Sequence, residues 1–66
     1  MMTQIRDRNQ KLIGEIRDRG SRLEAYTSTG SLCGTYDKAA NQTRNNSGSL
    51  VGPGPEHLIA LIFANS

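Results

Sequence analysis

The sequence predicts a mainly β protein: an antiparallel meander of about six short strands from three hairpin repeats, closed by one C-terminal helix and oligomeric. Three observations carry this prediction. The pentapeptide GSLCG at residues 30–34 recurs as GSLVG at residues 48–52. The composition is typical of turn-rich β structure, since 7 of the 66 residues are glycine and 35% are hydrophobic. The sustained apolar run at residues 57–64 follows the repeats and suits a helix.

The repeated unit aligns three times along the chain, and in each copy a leucine precedes a glycine by two positions. The aligned pairs are Leu12 with Gly14, Leu32 with Gly34, and Leu50 with Gly52. Each copy opens with a side-chain oxygen that suits a turn, at Asp7, Thr27 and Asn45. Gly30 and Gly48, three residues later, suit the left-handed conformation after a type I turn, which indicates a β-hairpin. Gln10 stands at this position in the first copy, where a positive φ is costly.

The strands are expected near residues 3–6, 11–17, 22–27, 31–36, 41–45 and 49–52. Side-chain alternation then assigns two faces. The predicted core face carries Ile5, Leu12, Ile16, Leu23, Ala25, Leu32, Tyr36 and Leu50, with Gly14, Gly34 and Gly52. The second face carries Arg6, Ile13, Arg17, Arg22, Glu24, Tyr26, Cys33, Arg44 and Val51. Glycine weakens a strand, so its recurrence on the core face indicates strong curvature or the close approach of another backbone.

Residues 1–54 are assigned to the hairpin domain, and residues 55–66 to a helix packed on the sheet or on a partner subunit. Pro55 and Glu56 suit the first turn of that helix. Its apolar residues cover most of its circumference, and one small sheet covers only one side of a helix. Small domains bury little surface, so a homo-oligomer is expected. The expected interface residues are Ile13, Cys33, Val51, Leu58, Leu61, Ile62 and Phe63.

Known catalytic and metal-binding motifs are missing from the sequence. Cys33 and His57 are the only residues of their types and do not complete a zinc site. The aspartates at 7, 18 and 37 are expected to cap turns rather than bind a metal. No nucleophile can be paired with a base, so neither an enzyme nor a cofactor is predicted. One free thiol, no export signal and no apolar run long enough for a bilayer favour a cytoplasmic, non-membrane location.

Arginine is the residue that suggests binding, because Ile-Arg-Asp-Arg occurs at residues 5–8 and again at 16–19. Guanidinium groups grip phosphate or carboxylate, although such arginines are also common at solvated strand ends. The predicted ligand-binding residues are Arg6, Arg17, Arg22 and Arg44, with Tyr26 as a stacking plane. In the alternative interpretation, Tyr26 packs on Ile13 and Cys33 at a subunit contact.

The segment TSTGSLCGTYD, from Thr27 to Asp37, resembles the Asp-x-x-Gly-x-Leu-x-Gly-x-Tyr-Asp hairpins of small repeat proteins carried by bacteria, phages and mobile elements. It is also similar to β-flower repeats. The resemblance covers residues 5–54, with a threonine replacing the first aspartate. The first copy lacks the turn glycine, and the third has Pro53 and Gly54 in place of Tyr-Asp. These motifs are structural and imply no active site.

The resemblance implies a non-catalytic, oligomeric binding or sequestering protein of phage or mobile-element type. Its expected target is another protein, for example a component of a host system that it inhibits. One alternative is a module that binds a small nucleotide or nucleic acid on the face that carries the predicted binding arginines and Tyr26. The net charge of +2 permits this function without favouring it. A structural component of a larger particle is the other alternative.

Overall fold

The six strands follow one another in chain order across one antiparallel sheet, and the C-terminal helix packs on one side of it. The computed structural model describes residues 2–65, so Met1 and Ser66 of the two predicted segments lie outside the described residues. The elements are β1 (Met2–Arg6), β2 (Leu12–Asp18), β3 (Arg22–Thr27), β4 (Leu32–Asp37), β5 (Gln42–Asn45), β6 (Leu50–Pro53) and α1 (Glu56–Ala64). The predicted mainly β meander and its C-terminal helix are confirmed.

The turns after β1, β3 and β5 are held by the same set of hydrogen bonds. In each turn the carbonyl of the opening residue accepts a bond from the amide three residues later, at 3.0 Å. Its side-chain oxygen accepts the amide four residues later, at 3.0–3.1 Å. The opening residues are Asp7, Thr27 and Asn45. The third residue after each has a positive φ, which is 67° at Gln10, 93° at Gly30 and 84° at Gly48.

A β-bulge lies in each of the same three hairpins, shortly after the turn. The register shifts at Arg6, Tyr26 and Arg44, which pair with Leu12, Leu32 and Leu50. Each shift leaves one extra residue on the second strand without a partner: Ile13, Cys33 and Val51. Because regular alternation fails at a bulge, the faces predicted from a period of two are offset around these positions.

Next to the bulges, two groups of residues lie on the side of the sheet opposite to the one predicted. Ile13 and Cys33 are 6% and 1% exposed and belong to the core, so the prediction that placed them on the second face is wrong. Leu32 and Leu50, predicted for the core, are 40% and 54% exposed and lie on the other side of the sheet. Leu12 is half-buried beside Arg6 on that same side.

The core lies between the sheet and α1. Its buried members are Ile13, Ala25, Cys33, Leu58 and Ile62, and the partly buried residues packed on it are Ile5, Ile16, Leu23, Tyr36 and Leu61. The core-face prediction is therefore confirmed for Ile5, Ile16, Leu23, Ala25 and Tyr36. Leu58 and Ile62, predicted as subunit-interface residues, are fully buried inside the chain's own core.

Glycines of three strands provide the surface on which α1 rests. A Cβ at Gly34 would lie 2.5 Å from the carbonyl oxygen of Arg44 and 2.6 Å from Leu61 Cδ1. A Cβ at Gly14 would collide with the carbonyl oxygen of Tyr26 and with Ile62, and one at Gly52 would lie 2.8 Å from His57 Nε2. The recurrent glycine is thus explained by the close approach of backbone and helix.

The segment that leads into α1 is fixed to β5. Thr43 is fully buried, and its hydroxyl donates a hydrogen bond to the carbonyl oxygen of Gly54 at 2.6 Å. The Leu58 amide then donates to the Pro55 carbonyl at 3.0 Å as the helix begins. A buried hydroxyl needs such a partner, so Thr43 both fills the core and sets where the chain turns toward the helix.

We expect Gly34→Ala to lower the free energy of unfolding by about 1–3 kcal/mol, because the added methyl has a backbone oxygen on one side and Leu61 on the other. Urea unfolding followed by circular dichroism measures this change. Gly20→Ala is the control. A Cβ added at Gly20 meets no atom within 4 Å, so that substitution tests only the cost of a side chain at a φ of +92°. A Gly34→Ala variant as stable as the wild type would contradict the role given to Gly34, whereas a loss in Gly20→Ala reports only the strain of its φ.

We expect Gln10→Gly to raise the free energy of unfolding by about 0.5–1 kcal/mol, because glycine removes the strain of a side chain at φ 67°. The turn bonds use only the backbone of this residue, so they remain. Asn9→Gly is the matched control in the same turn, where φ is not positive. The same urea titration decides the sign of each change, and a loss of stability in Gln10→Gly would show the prediction wrong.

Candidate functional site

The side of the sheet opposite α1, here called the outer face, is polar and charged. One row of cross-strand neighbours on it consists of Arg17, Glu24, Thr35, Arg44 and Leu50. Strand alternation places Arg22, Glu24 and Tyr26 of β3 on this face, because Ala25 between them points into the core. The predicted binding residues other than Arg6 fall within this row or next to it.

Glu24 is the centre of a hydrogen-bonded group, here called the Glu24 cluster, which also contains Arg19, Arg22 and Tyr26. Its Oε1 accepts bonds from Arg19 Nε at 2.7 Å and from the Tyr26 hydroxyl at 3.0 Å. Its Oε2 accepts Arg22 Nε at 3.1 Å and lies 3.0 Å from Arg22 Nη2. A carboxylate that is only 8% exposed thereby has a donor on each oxygen.

These donors hold Glu24 in its charged form. The hydrogen bond from Arg19, supported by those from Arg22 and Tyr26, lowers the pKa of Glu24 to about 2 although burial opposes the shift. The carboxylate is therefore ionised at neutral pH. Because it binds the guanidinium of Arg22 through two nitrogens, it also fixes the plane of that group.

Tyr26 is less open than predicted. The Arg17 guanidinium carbon lies 4.5 Å from the centroid of its ring, a cation–π contact that covers one ring face. Arg17 is itself bound through Nη2 to Glu15 at 2.8 Å. The alternative, in which Tyr26 packs on Ile13 and Cys33, is wrong because both lie in the core on the opposite side of the sheet.

Arg22 and Arg44 line a cleft of about 320 Å³, here called the Arg22–Arg44 cleft, together with Ser21, Thr35 and Asp37. Arg44 donates from Nη1 to the Gly48 carbonyl at 2.9 Å, which ties it to the β5–β6 turn. The Asp37 Oδ1 atom accepts the amides of the following turn, so this carboxylate also serves as a turn cap, as predicted.

Arg6 is not brought to this region. It lies on the edge strand β1, opposite Leu12, and donates from Nη1 to the Gln10 carbonyl at 3.0 Å and from Nη2 to Gln4 Oε1 at 3.4 Å. Its prediction as a member of one shared site is wrong, because the three hairpins are staggered along the sheet and equivalent positions do not share a row.

Sequence reasoning missed Glu24 and Arg19 as site residues. Glu24 had a usable signal, since Arg22, Glu24 and Tyr26 alternate along one strand and so share a face. Arg19 belongs to the repeated Ile-Arg-Asp-Arg motif, but it lies in the β2–β3 turn, where alternation does not define a direction, so the motif did not place it beside Glu24.

Few groups among residues 2–65 suit chemistry other than hydrogen bonding. Within residues 2–65, no group of three or more histidine, cysteine or acidic side chains is placed to hold a metal ion. Burial raises the pKa of the Cys33 thiol, and His57 packs over Gly52 on the helix side. No helix in this described part of the chain is long and apolar enough to cross a membrane.

No family model, no curated protein and no solved structure matches the chain. The resemblance to mobile-element repeat hairpins therefore stays a prediction.

We expect acid to remove the stabilising contribution of Glu24 as the pH falls from about 4.5 toward about 2, because its folded-state pKa lies below the ordinary value of 4.5. The contribution is complete above that interval. Its partners Arg19 and Arg22 are both about half exposed, so the contribution of Glu24 to the free energy of unfolding is at most about 2 kcal/mol. Urea unfolding between pH 2 and pH 7 measures it.

Glu24→Gln removes the titrating group and should flatten the acid limb of this stability curve. Asp18, whose pKa is lowered chiefly by the Gly20 amide, titrates in both chains and cancels from the comparison. Glu56→Gln, which removes a carboxylate outside the cluster, is the matched control. Parallel curves for wild type and Glu24→Gln would contradict the role given to Glu24.

Proposed function

We propose that this protein is a non-catalytic binding protein that recognises another protein through its outer face and works as a homo-oligomer. The observation that carries the proposal is the composition of that face. Leu32 and Leu50 are 40% and 54% exposed and stand directly opposite Tyr26 and Arg44. Exposed apolar side chains mixed with tyrosine and arginine are typical of protein interfaces.

Self-association is proposed through the side of α1 that faces away from the sheet. Ile59 and Phe63, one helical turn apart, are 41% and 49% exposed, whereas Leu58 and Ile62 fill the core. Val51, at 40% exposure, is the sheet residue of the predicted interface that stays accessible. A second copy covering this helix side would enlarge the thin core of a 66-residue chain.

The proposed target is a protein of a host system, in keeping with the resemblance of the hairpins to those of phages and mobile elements. We also propose that the three hairpins are copies of one unit, since they share turn bonds and bulge positions. The nucleotide-binding alternative is less favoured, because Arg17 already covers one face of Tyr26.

Sedimentation velocity at micromolar concentration tests the assembly. We expect the wild-type chain to sediment as an oligomer and Ile59→Asp to sediment as a folded monomer, because a charge on the exposed helix side cannot be desolvated in an interface. Ser47→Asp, which adds the same charge to an exposed turn, should leave the oligomer intact. A wild-type monomer at these concentrations would rule out the self-association.

The binding activity is tested by retention on immobilised protein. Host proteins held by the wild-type chain but not by Leu50→Asp are purified, and their affinities are measured by calorimetry. Leu50→Asp places a charge at the most exposed apolar side chain of the outer face. Partners that bind both chains equally would show that the outer face is not the recognition surface.

A further inference from the structure

We propose that the Arg22–Arg44 cleft is the anchoring subsite of the outer face and receives a carboxylate side chain, Asp or Glu, from an acidic segment of the partner protein. This inference rests on the proposed function and deepens it by naming the chemistry of the partner. It is carried by two arginines at one cleft, each tied by hydrogen bonds within the chain, with Thr35 on the strand between them.

The first arginine, Arg22, is positioned before any ligand arrives. Two of its nitrogens, Nε and Nη2, bind Glu24, which is itself fixed by Arg19 and Tyr26. Its Nη1 donates to no acceptor among residues 2–65, and the side chain is 57% exposed. A guanidinium held along one edge keeps its remaining donors in a defined direction, which lowers the entropic cost of binding an anion.

The second arginine, Arg44, reaches the same cleft from β5. Its Nη1 is bound to the Gly48 carbonyl, which leaves Nε and Nη2 without an acceptor in the described part of the chain. Thr35 lies directly between the two strands, since it pairs with Glu24 on one side and with Arg44 on the other. Ser21 supplies a second hydroxyl at the cleft.

Asp37 decides which anion suits the cleft. A carboxylate at the same cleft opposes a dianion such as phosphate more strongly than a group with one negative charge. A volume of about 320 Å³ lies at the lower end of ligand sites, which suits a side chain better than a whole nucleotide. The ring of Tyr26, the nearest stacking plane on β3, does not line the cleft.

The remaining oxygen of Asp37 offers a second point of contact. Its Oδ1 is used by the Ala39 and Ala40 amides, whereas Oδ2 accepts no hydrogen bond from residues 2–65. A peptide uses both contacts, because its acidic side chain binds the arginines while a backbone N–H reaches Asp37. The geometry therefore suits an acidic segment of a protein rather than an isolated anion.

The experiment is an NMR titration of the wild-type chain with the peptide acetyl-Gly-Glu-Glu-Gly-amide, following the arginine Nε–H signals. We expect saturable shifts at Arg22 and Arg44, and at least tenfold weaker binding of the Gln-Gln peptide. We expect Arg44→Gln to weaken the Glu peptide at least tenfold, the scale of a hydrogen bond to a charged group. Arg44 is chosen because its loss leaves the Glu24 cluster intact.

Arg8→Gln is the matched control, since it removes the same charge from an exposed turn outside the cleft, and it should change the affinity less than twofold. Equal losses in the two variants would overturn the proposal, because the peptide would then respond to net charge alone. Stronger shifts of the same signals with inorganic phosphate or with an oligothymidylate would overturn it in favour of a phosphate site.

The titration is independent of the tests of the proposed function, because it needs neither the oligomer nor a captured partner. A partner that is lost by Leu50→Asp but retained by Arg44→Gln would leave the proposed function standing and refute the cleft as its anchor. Binding of the acidic peptide to a wild-type chain that stays monomeric would support the cleft and would rule out the self-association that is part of the proposed function.

Discussion

The fold depends on how closely α1 approaches the sheet. A six-stranded meander of this size has one apolar face, and α1 is the element that covers it. The approach is possible because Gly14 and Gly34 leave room for Ile62 and Leu61 where any larger residue would collide. Leu58 and Ile62 then reach full burial, so the hydrophobic core forms where one helix side meets the sheet.

The bulges connect this packing to the outer face. Each bulge adds one residue close to the turn, on the second strand of its hairpin. As a result, Ile13 and Cys33 lie in the core. The same offset brings Leu32 and Leu50 to the solvent side, opposite Tyr26 and Arg44. The apolar component of the outer face is thus a consequence of how the core is filled, and a hairpin without its bulge would bury these leucines instead.

Much of the fold could be predicted from local chemistry, whereas the faces of the residues next to the bulges could not. Turn residues and the repeated glycine identify hairpins directly, so each strand boundary was predicted to within one residue. A bulge has no comparable signal here: Ile13 follows Leu12 as any regular strand residue would. Of the candidate site, Arg17, Arg22, Tyr26 and Arg44 were placed on one face from alternation. This holds even at Tyr26 and Arg44, because the extra residue of each bulge lies on the opposite strand. Arg6 was misplaced because hairpin stagger is a property of long-range pairing.

The two arginines of the Arg22–Arg44 cleft are held differently, Arg22 by a carboxylate and Arg44 by a backbone carbonyl. Glu24 offsets one of the two positive charges of Arg19 and Arg22, since its carboxylate, with a pKa of about 2, is ionised at neutral pH. An arginine held by an internal carboxylate keeps its direction, and the shared carboxylate lowers the net charge of the Glu24 cluster to that of one arginine. Arg44 is tied only to a turn carbonyl and keeps its full charge. If the cleft receives an acidic side chain as proposed, Arg22 supplies a defined direction and Arg44 supplies a positive charge that no carboxylate of the cluster offsets.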